Sequence, residues 1–349
     1  MVCGGNSLKH LANGEDRRLV CPIDKGIGPA AQDVLDRTDL VVKRQMHTLK
    51  DGSQLFYQTV APANRQTTYI LVLFHGYASH GDLFLEPFAH LAEQGALLVL
   101  PDLPCWGRSD GLFGYIPDWW QWVDLIWEFL DSVVAVMRSK VSPRPLKLFG
   151  AGHSLGGGLT ACLAIMRPEF FDGIVPIAPM LFVGDDVKPP YIVQVAFKRL
   201  LGPWKLTWMM TPTKPMDGFD FRVQHHGLAL INANPLSMGK LPPRLATAQE
   251  FGFTFPEWME AHMGEMRTPF LVLHGTADKV TDPAMSKKLH DVAPATDKRI
   301  ILYDGAFHAE MTACTVGTAK SMGEEFTPEQ MSQTQQAMSD IAEWLSARA

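Results

Sequence analysis

The alternation of short, almost entirely apolar runs with longer helical patterns constrains this chain most strongly. The run from Ile70 to Phe74 contains no polar residue, which is typical of a strand covered on both faces. Strand, helix and strand in repetition predict a mostly parallel sheet flanked by helices, an α/β architecture. The predicted strands cover 54–60, 69–74, 96–100, 146–150, 173–177, 270–274 and 299–303, and the predicted helices cover 83–93, 119–138, 157–166, 285–292 and 328–349.

The alternation stops after Pro179 and resumes at Pro269. The intervening stretch is rich in proline and contains short helical patterns, which predicts an insertion over one end of the sheet. We therefore predict an irregular N-terminal extension (1–40), a core in two parts (41–183 and 267–349) and a helical cap (184–266).

A G-x-S-x-G pattern follows the predicted strand 146–150 at once and precedes a helical pattern. This is the context of a nucleophile elbow, a turn so tight that Gly152 and Gly156 must lack side chains. The Ser154 hydroxyl would then stand above the sheet beside the positive end of a helix. The pattern predicts that Ser154 is a nucleophile.

A serine nucleophile needs a general base, and a carboxylate must orient that base. Asp278 and His308 each follow a predicted strand, in the order acid then histidine, so both would lie at the same sheet edge as Ser154. Two other carboxylates compete with Asp278. Asp282 precedes a proline and is typical of a helix N-cap, whereas Asp304 precedes a glycine and is typical of a turn.

The strand 69–74 ends in His75-Gly76-Tyr77. The backbone N–H groups of Tyr77 and of Leu155, the residue after the serine, are the candidate donors of an oxyanion hole. We interpret the side chain of His75 as a structural brace for this loop, and Gly76 as a position that keeps it compact.

Together these residues resemble the monoacylglycerol lipase and lysophospholipase-like branch of the α/β-hydrolase superfamily. The resemblance covers about residues 45–312 and rests on the following segments: His75-Gly76-Tyr77, Pro101-Asp102, Gly107-Arg108-Ser109-Asp110-Gly111, Gly152-His153-Ser154-Leu155-Gly156-Gly157, His274-Gly275-Thr276-Ala277-Asp278 and Gly305-Ala306-Phe307-His308. It implies the α/β-hydrolase fold with a mobile cap, Ser154 as nucleophile, Asp278 as acid, His308 as base, and Tyr77 and Leu155 as oxyanion donors.

The residues around Asp278 also resemble plant members of this branch, among which are caffeoylshikimate esterases. Two departures concern the pocket wall. Ala78 stands where the family often has a second glycine, and Leu103-Pro104-Cys105-Trp106 replaces a usually charged or histidine-containing stretch.

Composition excludes several other classes of protein. Lys plus Arg is 31 and Asp plus Glu is 37, a net charge of −6, which disfavours a nucleic-acid partner. The five cysteines are widely spaced without a C-x-x-C pair, so neither a disulfide framework nor a cysteine zinc site is predicted. No apolar stretch is long enough to span a bilayer, and the N-terminus lacks the apolar centre of a signal peptide, so we expect a cytoplasmic protein.

The segment 187–216 differs in charge from the rest of the chain. It contains five basic residues and no acidic one, together with several aromatic residues and methionines. Such a segment on a cap predicts a peripheral contact with an anionic membrane. The same aromatic residues could instead line an acyl tunnel.

No cofactor motif and no metal-ligand motif stands out, so neither group is expected, and we interpret His225-His226 as a polar cap surface. These observations predict a serine hydrolase that cleaves the carboxylic ester of a monoacylglycerol or a lysophospholipid. One alternative is a phenolic-ester esterase or acyltransferase with the same triad. The other is a catalytically silent lipid-binding protein.

Overall fold

The computed structural model describes residues 13–140, 146–182, 204–209, 221–236 and 243–349. The strands in these ranges are β1 (Leu40–Thr48), β2 (Gln54–Pro62), β3 (Tyr69–Phe74), β4 (Ala96–Pro101), β5 (Lys147–His153), β6 (Gly173–Ile177), β7 (Phe270–Gly275) and β8 (Lys298–Tyr303). Within the described residues they form one eight-stranded sheet in the order β1-β2-β4-β3-β5-β6-β7-β8.

The sheet is parallel from β4 to β8, and β1 and β2 join it antiparallel at one edge. This confirms the predicted α/β-hydrolase architecture and each predicted strand, with ends shifted by at most a few residues. Sequence analysis missed β1. Its residues alternate between more and less exposed positions and include the exposed polar residues Lys43 and Gln45, because an edge strand is not covered on both sides.

The helices in the described residues are α1 (Gly14–Val20), α2 (Gly28–Leu35), α3 (Leu85–Glu93), α4 (Trp119–Phe129), α5 (Ala135–Lys140), α6 (Leu155–Met166), α7 (Gln224–Ala233), α8 (Leu245–Gln249), α9 (Phe255–His262), α10 (Pro283–Val292), α11 (Val316–Met322) and α12 (Pro328–Ser346). A π-helical turn joins α4 to α5, and another joins α8 to α9.

The sheet separates two apolar layers. Alternate residues of β3 face opposite layers: Ile70 and Val72 pack with the buried residues of α4 and α6, and Leu71 and Leu73 pack with those of α3 and α12. Burial on both faces explains why this strand is apolar throughout.

The described part of the N-terminal extension, predicted to be irregular, contains two helices, so that prediction is wrong for residues 14–20 and 28–35. Asn13 caps α1 by accepting a hydrogen bond from Asp16 N–H, and α2 begins next to Pro29. The buried guanidinium of Arg17 donates to Gly107 O at 2.6 Å. Helices of seven and eight residues are too short for a clear periodic pattern, and these two are stabilised by packing on the core.

The predicted cap, 184–266, is described only in part, as residues 204–209, 221–236 and 243–266, so its boundaries remain a prediction. Its described helices are α7, α8 and α9. Across the parts of the chain that the structure describes, no helix combines the length and the apolar character that a bilayer span requires.

Candidate active site

Ser154 occupies a strained turn between β5 and α6. Its backbone has φ +56° and ψ −118°, a conformation that residues other than glycine rarely adopt and that is typical of functional sites. The chain after β6 holds this turn: Ser154 N–H donates to Ile177 O at 2.9 Å, and Ser154 O accepts from Met180 N–H at 2.8 Å. The residue is 8% exposed, so the hydroxyl lies in a largely enclosed position.

Two glycines permit the turn. A methyl group at Gly156 would lie 2.0 Å from Phe74 O, and one at Gly152 would lie 2.4 Å from the carbonyl carbon of Gly156. Both obstacles are backbone atoms, so a side chain at either position would force the strand and the helix apart. Because α6 starts at Leu155, its positive end lies beside Ser154.

The carboxylate of Asp278, beyond the end of β7, is held by five polar contacts. Its Oδ1 accepts from Val280 N–H at 2.8 Å and from Thr281 N–H at 3.0 Å. Its Oδ2 lies 2.7 Å from His308 Nδ1, 3.1 Å from His274 Nε2 and 2.9 Å from Thr281 Oγ1. The carboxylate therefore has a fixed position and a fixed orientation.

These contacts also keep Asp278 ionised. Burial by itself would raise the pKa of the carboxyl, but the charge of His308 and the hydrogen bonds from His274 and His308 outweigh burial and hold this pKa far below its usual range. An ionised carboxylate only accepts hydrogen bonds, so both imidazoles donate to it. His308 Nδ1 therefore carries a proton.

His308 is buried and faces Asp278 through Nδ1, so its Nε2 lies on the side of the ring away from Asp278. Its backbone carbonyl oxygen lies 2.9 Å from His153 Nε2, and the centres of the His153 and His308 rings are 4.7 Å apart. Since His153 directly precedes Ser154, this contact ties the loop of His308 to the elbow. Loss of hydration and the charge of His308 lower the pKa of His153 to about 3, so its ring is neutral near pH 7.

His75 braces the loop after β3. Leu103 N–H donates to His75 Nε2 at 2.9 Å, so that nitrogen carries no proton, and the proton on Nδ1 is donated to Gly76 O at 2.8 Å. Complete burial lowers the pKa of His75 to about 4 and keeps the ring in this neutral form.

The loop lies directly against the elbow. A methyl group at Gly76 would be 3.2 Å from Ser154 Cβ, so Tyr77, the next residue, starts beside the serine. Ala78 has φ +59°, a conformation in which glycine is unstrained and alanine costs ~1 kcal/mol. Alanine in place of a second glycine at this position therefore keeps the same backbone conformation of the loop but adds local strain.

The two competing carboxylates have other partners. Asp282 caps α10 by accepting from Ala284 N–H at 2.8 Å, as predicted. Asp304 lies 3.1 Å from Thr276 Oγ1 in an exposed contact, on the turn after β8. Among the three candidates, the structure brings only Asp278 to His308.

Sequence reasoning missed the residues that hold Asp278 and line the loop of Tyr77. His274, the first residue of its own motif, and Thr281 both reach the carboxylate. The ring of Tyr77 packs edge-on against Trp106 and Phe251, with ring centres 5.9 and 5.5 Å apart. The short separation of four residues between His274 and Asp278 was the sequence signal that could have indicated their contact. No sequence signal indicates the contact of Phe251, in the cap, with Tyr77.

The groups at this sheet edge do not form a cluster of three metal ligands in the described residues. One such cluster occurs elsewhere, on α7 and after α11, and consists of His225, His226 and Glu324.

The comparison with protein families matches residues 65–312 to the family described as serine aminopeptidase, S33. The match covers every residue discussed above as a site candidate, from His75 to His308.

Several curated proteins are similar to the chain over about three quarters of its length. The caffeoylshikimate esterase of Arabidopsis thaliana is 29% identical over 74% of this chain and 76% of its own length. The monoacylglycerol lipase of Mycolicibacterium smegmatis is 26% identical over 74% of this chain and 86% of its own length. The human monoglyceride lipase is 25% identical over 74% of this chain and 80% of its own length.

Solved structures share the fold. A soluble variant of the Saccharomyces cerevisiae monoglyceride lipase matches with a TM-score of 0.71 at 18% identity, over 88% of this chain and 96% of that one. The Paleococcus ferrophilus monoacylglycerol lipase matches with a TM-score of 0.63 at 23% identity, over 84% of this chain and 99% of that one.

Proposed function

This chain belongs to the hydrolase family described as serine aminopeptidase, S33, and from that premise we propose that it hydrolyses the carboxylic ester of a monoacylglycerol or lysophospholipid through an acyl-enzyme on Ser154. The observation that carries the proposal is the row of groups at one sheet edge. The Asp278 carboxylate is 2.7 Å from His308 Nδ1, and the His308 loop is bound to the residue that precedes Ser154.

In the proposed reaction, His308 Nε2 accepts the hydroxyl proton while Ser154 Oγ attacks the ester carbonyl. The Asp278 carboxylate stabilises the resulting imidazolium. The N–H groups of Tyr77 and Leu155 donate to the oxyanion, and the imidazolium then protonates the leaving alcohol. Water attacks the acyl-enzyme with the same base and releases the fatty acid, which restores the Ser154 hydroxyl.

The choice of acyl ester rests on the relatives. Proteins named as monoacylglycerol or monoglyceride lipases from a bacterium and from mammals match the same three quarters of the chain. The packed aromatic side chains of Tyr77, Trp106 and Phe251 make the surroundings of the oxyanion loop apolar, which is compatible with an acyl chain.

A phenolic ester is the second candidate substrate class, because the relative at 29% identity is named as a caffeoylshikimate esterase. The same triad would attack the ester of a hydroxycinnamate or transfer its acyl group to another alcohol. Aromatic surroundings suit a planar phenolic ring as well as an acyl chain, so products have to be compared directly.

The test of the proposed nucleophile is labelling with a fluorophosphonate probe. The wild-type protein should label and Ser154→Ala should not, because the probe reacts with an activated serine hydroxyl. Ser132→Ala, at an exposed serine on the turn after α4, is the matched control and should label like the wild type. Equal labelling of Ser154→Ala and wild type would refute the assignment.

A panel of esters tests the substrate class. Release of oleate from monoolein or from a lysophospholipid, absent in Ser154→Ala, supports the proposed function. Turnover of a caffeoyl ester without release of oleate would assign the second candidate instead. Binding of monoolein with no product from any ester would leave the lipid-binding alternative.

We also propose that the cap segment 187–216 contacts an anionic membrane surface. Its described part supports this with two large apolar side chains in water, Trp204 at 74% and Trp208 at 58% exposure. Lys205 does not add a free charge, since its ammonium lies 2.8 Å from Glu250. The other four basic residues counted in this segment lie outside the described residues.

Sedimentation with vesicles tests the contact. Wild type should bind phosphatidylglycerol vesicles more strongly than phosphatidylcholine vesicles, and the double variant Trp204→Ala/Trp208→Ala should lose most of that binding. Leu19→Ala removes an equally exposed apolar residue elsewhere and should bind unchanged. A double variant that sediments like wild type would disprove the contact.

A further inference from the structure

A cluster of two histidines and one glutamate joins the cap to the C-terminal part of the core. His225 and His226 lie on the first turn of α7, and Glu324 follows Gly323, which ends α11. One donor atom from each side chain lies within 4.8 Å of the others, and His225 Nε2 is 3.4 Å from Glu324 Oε2. We propose that these three residues bind a zinc ion, a site separate from the triad that does not depend on the proposed ester hydrolysis.

The buried histidine is the feature that a simple surface ion pair does not explain. His226 is 2% exposed, and its Nδ1 has no hydrogen-bond partner among the described residues. The ring packs edge-on against the stacked rings of Phe221 and Phe326, and its centre is 6.0 Å from that of Phe221 and 5.0 Å from that of Phe326. A buried polar atom without a partner is costly, and a bound cation would satisfy it.

The donor set suits zinc. Two imidazoles and one carboxylate are common zinc ligands, and a water molecule would complete a tetrahedron. Zinc bonds of about 2.0–2.2 Å separate the donors of such a tetrahedron by about 3.3 Å. The donors would have to approach one another by no more than about 1.5 Å, which the exposed side chain of His225 allows by rotation.

The surrounding charge favours a cation. The charges of Glu324 and Glu310 both act on His226, and Glu325 follows Glu324 directly in the chain. Arg222, the neighbouring basic group, is already paired: its guanidinium contacts Glu310 at 3.4 Å and Glu329 at 2.6 Å. The cluster therefore has an excess of negative charge.

A bound ion would link the cap to the loop that holds His308. Arg222 stands two residues before α7 and donates to Gly305 O at 3.0 Å, and its backbone N–H donates to Glu310 at 2.9 Å. Gly305 and Glu310 lie on either side of His308. Zinc at the start of α7 would hold this part of the cap against the core. The interpretation of His225-His226 as a polar surface is wrong for His226, which is buried.

The proposal is tested by titrating zinc into the full chain, produced without a histidine tag and stripped with a chelator, in a calorimeter. Wild type should bind one zinc ion, and zinc should raise its unfolding temperature. Glu324→Gln and His225→Ala should each weaken zinc binding by at least about tenfold. Magnesium should produce neither heat nor a stability change, because imidazole is a poor ligand for it.

His290→Ala is the matched control, since His290 is another helix histidine near a carboxylate, 3.4 Å from Asp291, but the described part of the chain offers it no third ligand. It should bind zinc like wild type. Circular dichroism and the metal-free unfolding temperature establish that each variant is folded. We expect both zinc-site variants to fold, because the side chains of His225 and Glu324 are partly or fully exposed. Absence of one-to-one zinc binding in wild type, or unchanged affinity in folded Glu324→Gln, would overturn the proposal.

Discussion

Gly156 sets how closely α6 can approach β3, and that approach decides where Ser154 stands. Phe74 O occupies the space that a side chain at position 156 would need. The strained backbone of Ser154 persists because the strand, the helix and the chain after β6 all hold it. A single hydrogen atom in place of a methyl group therefore determines the position of the proposed nucleophile.

We predict that Gly156→Ala lowers the free energy of unfolding by ~2–4 kcal/mol and removes fluorophosphonate labelling, because backbone must move to admit the methyl group. Urea unfolding measures the first effect. Gly264→Ala is the matched control: no atom lies within 4 Å of the methyl group there, so stability should stay within about 1 kcal/mol and labelling should be normal. Equal stability of the two variants would contradict the steric argument.

At the scale of elements, the buried carboxylate of Asp82 holds the chain before α2 to the core. Its Oδ1 contacts Arg44 at 2.7 Å and Gln58 at 2.9 Å, and its Oδ2 contacts Arg108 at 3.2 Å. Oδ2 also accepts from Ile27 N–H at 2.9 Å, which fixes the chain just before α2. The start of α2 thus depends on charges contributed by β1 and by the loops after β3 and β4.

The pKa of Asp82 reflects these partners. Burial by itself would raise this pKa. The positive charges of Arg108 and Arg44 have the larger effect and lower it to about 2. A pKa below the unfolded value means that the folded state favours the ionised form, so this stabilisation is complete above about pH 4. It is lost progressively as the pH falls towards 2.

We predict that Asp82→Asn lowers the free energy of unfolding at pH 7 by ~2–4 kcal/mol, since two buried arginines lose their counter-charge. The difference from wild type should shrink between pH 4 and pH 2, measured by urea unfolding at each pH. Asp33→Asn breaks an exposed pair with Lys320 and should change stability by less than about 1 kcal/mol. A pH-independent loss for Asp82→Asn would show that the charge is not responsible.

At the scale of the whole molecule, the last helix completes the core. α12 packs on the same face of the sheet as α3, and Trp344 is 3% exposed against the sheet. Its ring is 6.1 Å from that of Phe149, and a methyl group at Gly173 would be 2.6 Å from it. α12 therefore covers part of this face of the sheet, beside β5 and β6.

We predict that Trp344→Ala costs ~3–5 kcal/mol of unfolding free energy, because a large buried ring leaves a cavity between α12 and the sheet. Val316→Ala, at an apolar residue that is 69% exposed, should cost less than about 0.5 kcal/mol. Thermal and urea unfolding of both variants provide the comparison. Similar losses would mean that α12 contributes little to the core.

Local patterns predicted much of the fold. The apolar run at Ile70–Phe74 and the elbow around Ser154 were readable because their information lies in consecutive residues, through burial on two faces or steric fit in a turn. The order of Ser154, Asp278 and His308 after successive strands predicted the sheet edge that they share, since parallel strands end on the same side.

The sequence by itself determined the architecture, the elbow and the residues that follow each strand. Only the tertiary structure decided that β1 forms the edge, that His274 and Thr281 orient Asp278, and that Asp82 binds the chain just before α2. The physical reason is the separation along the chain of the residues that interact. Strand and turn patterns arise from residues that are neighbours in the chain. A buried carboxylate is instead held by partners from distant segments, and no local pattern records which segments meet.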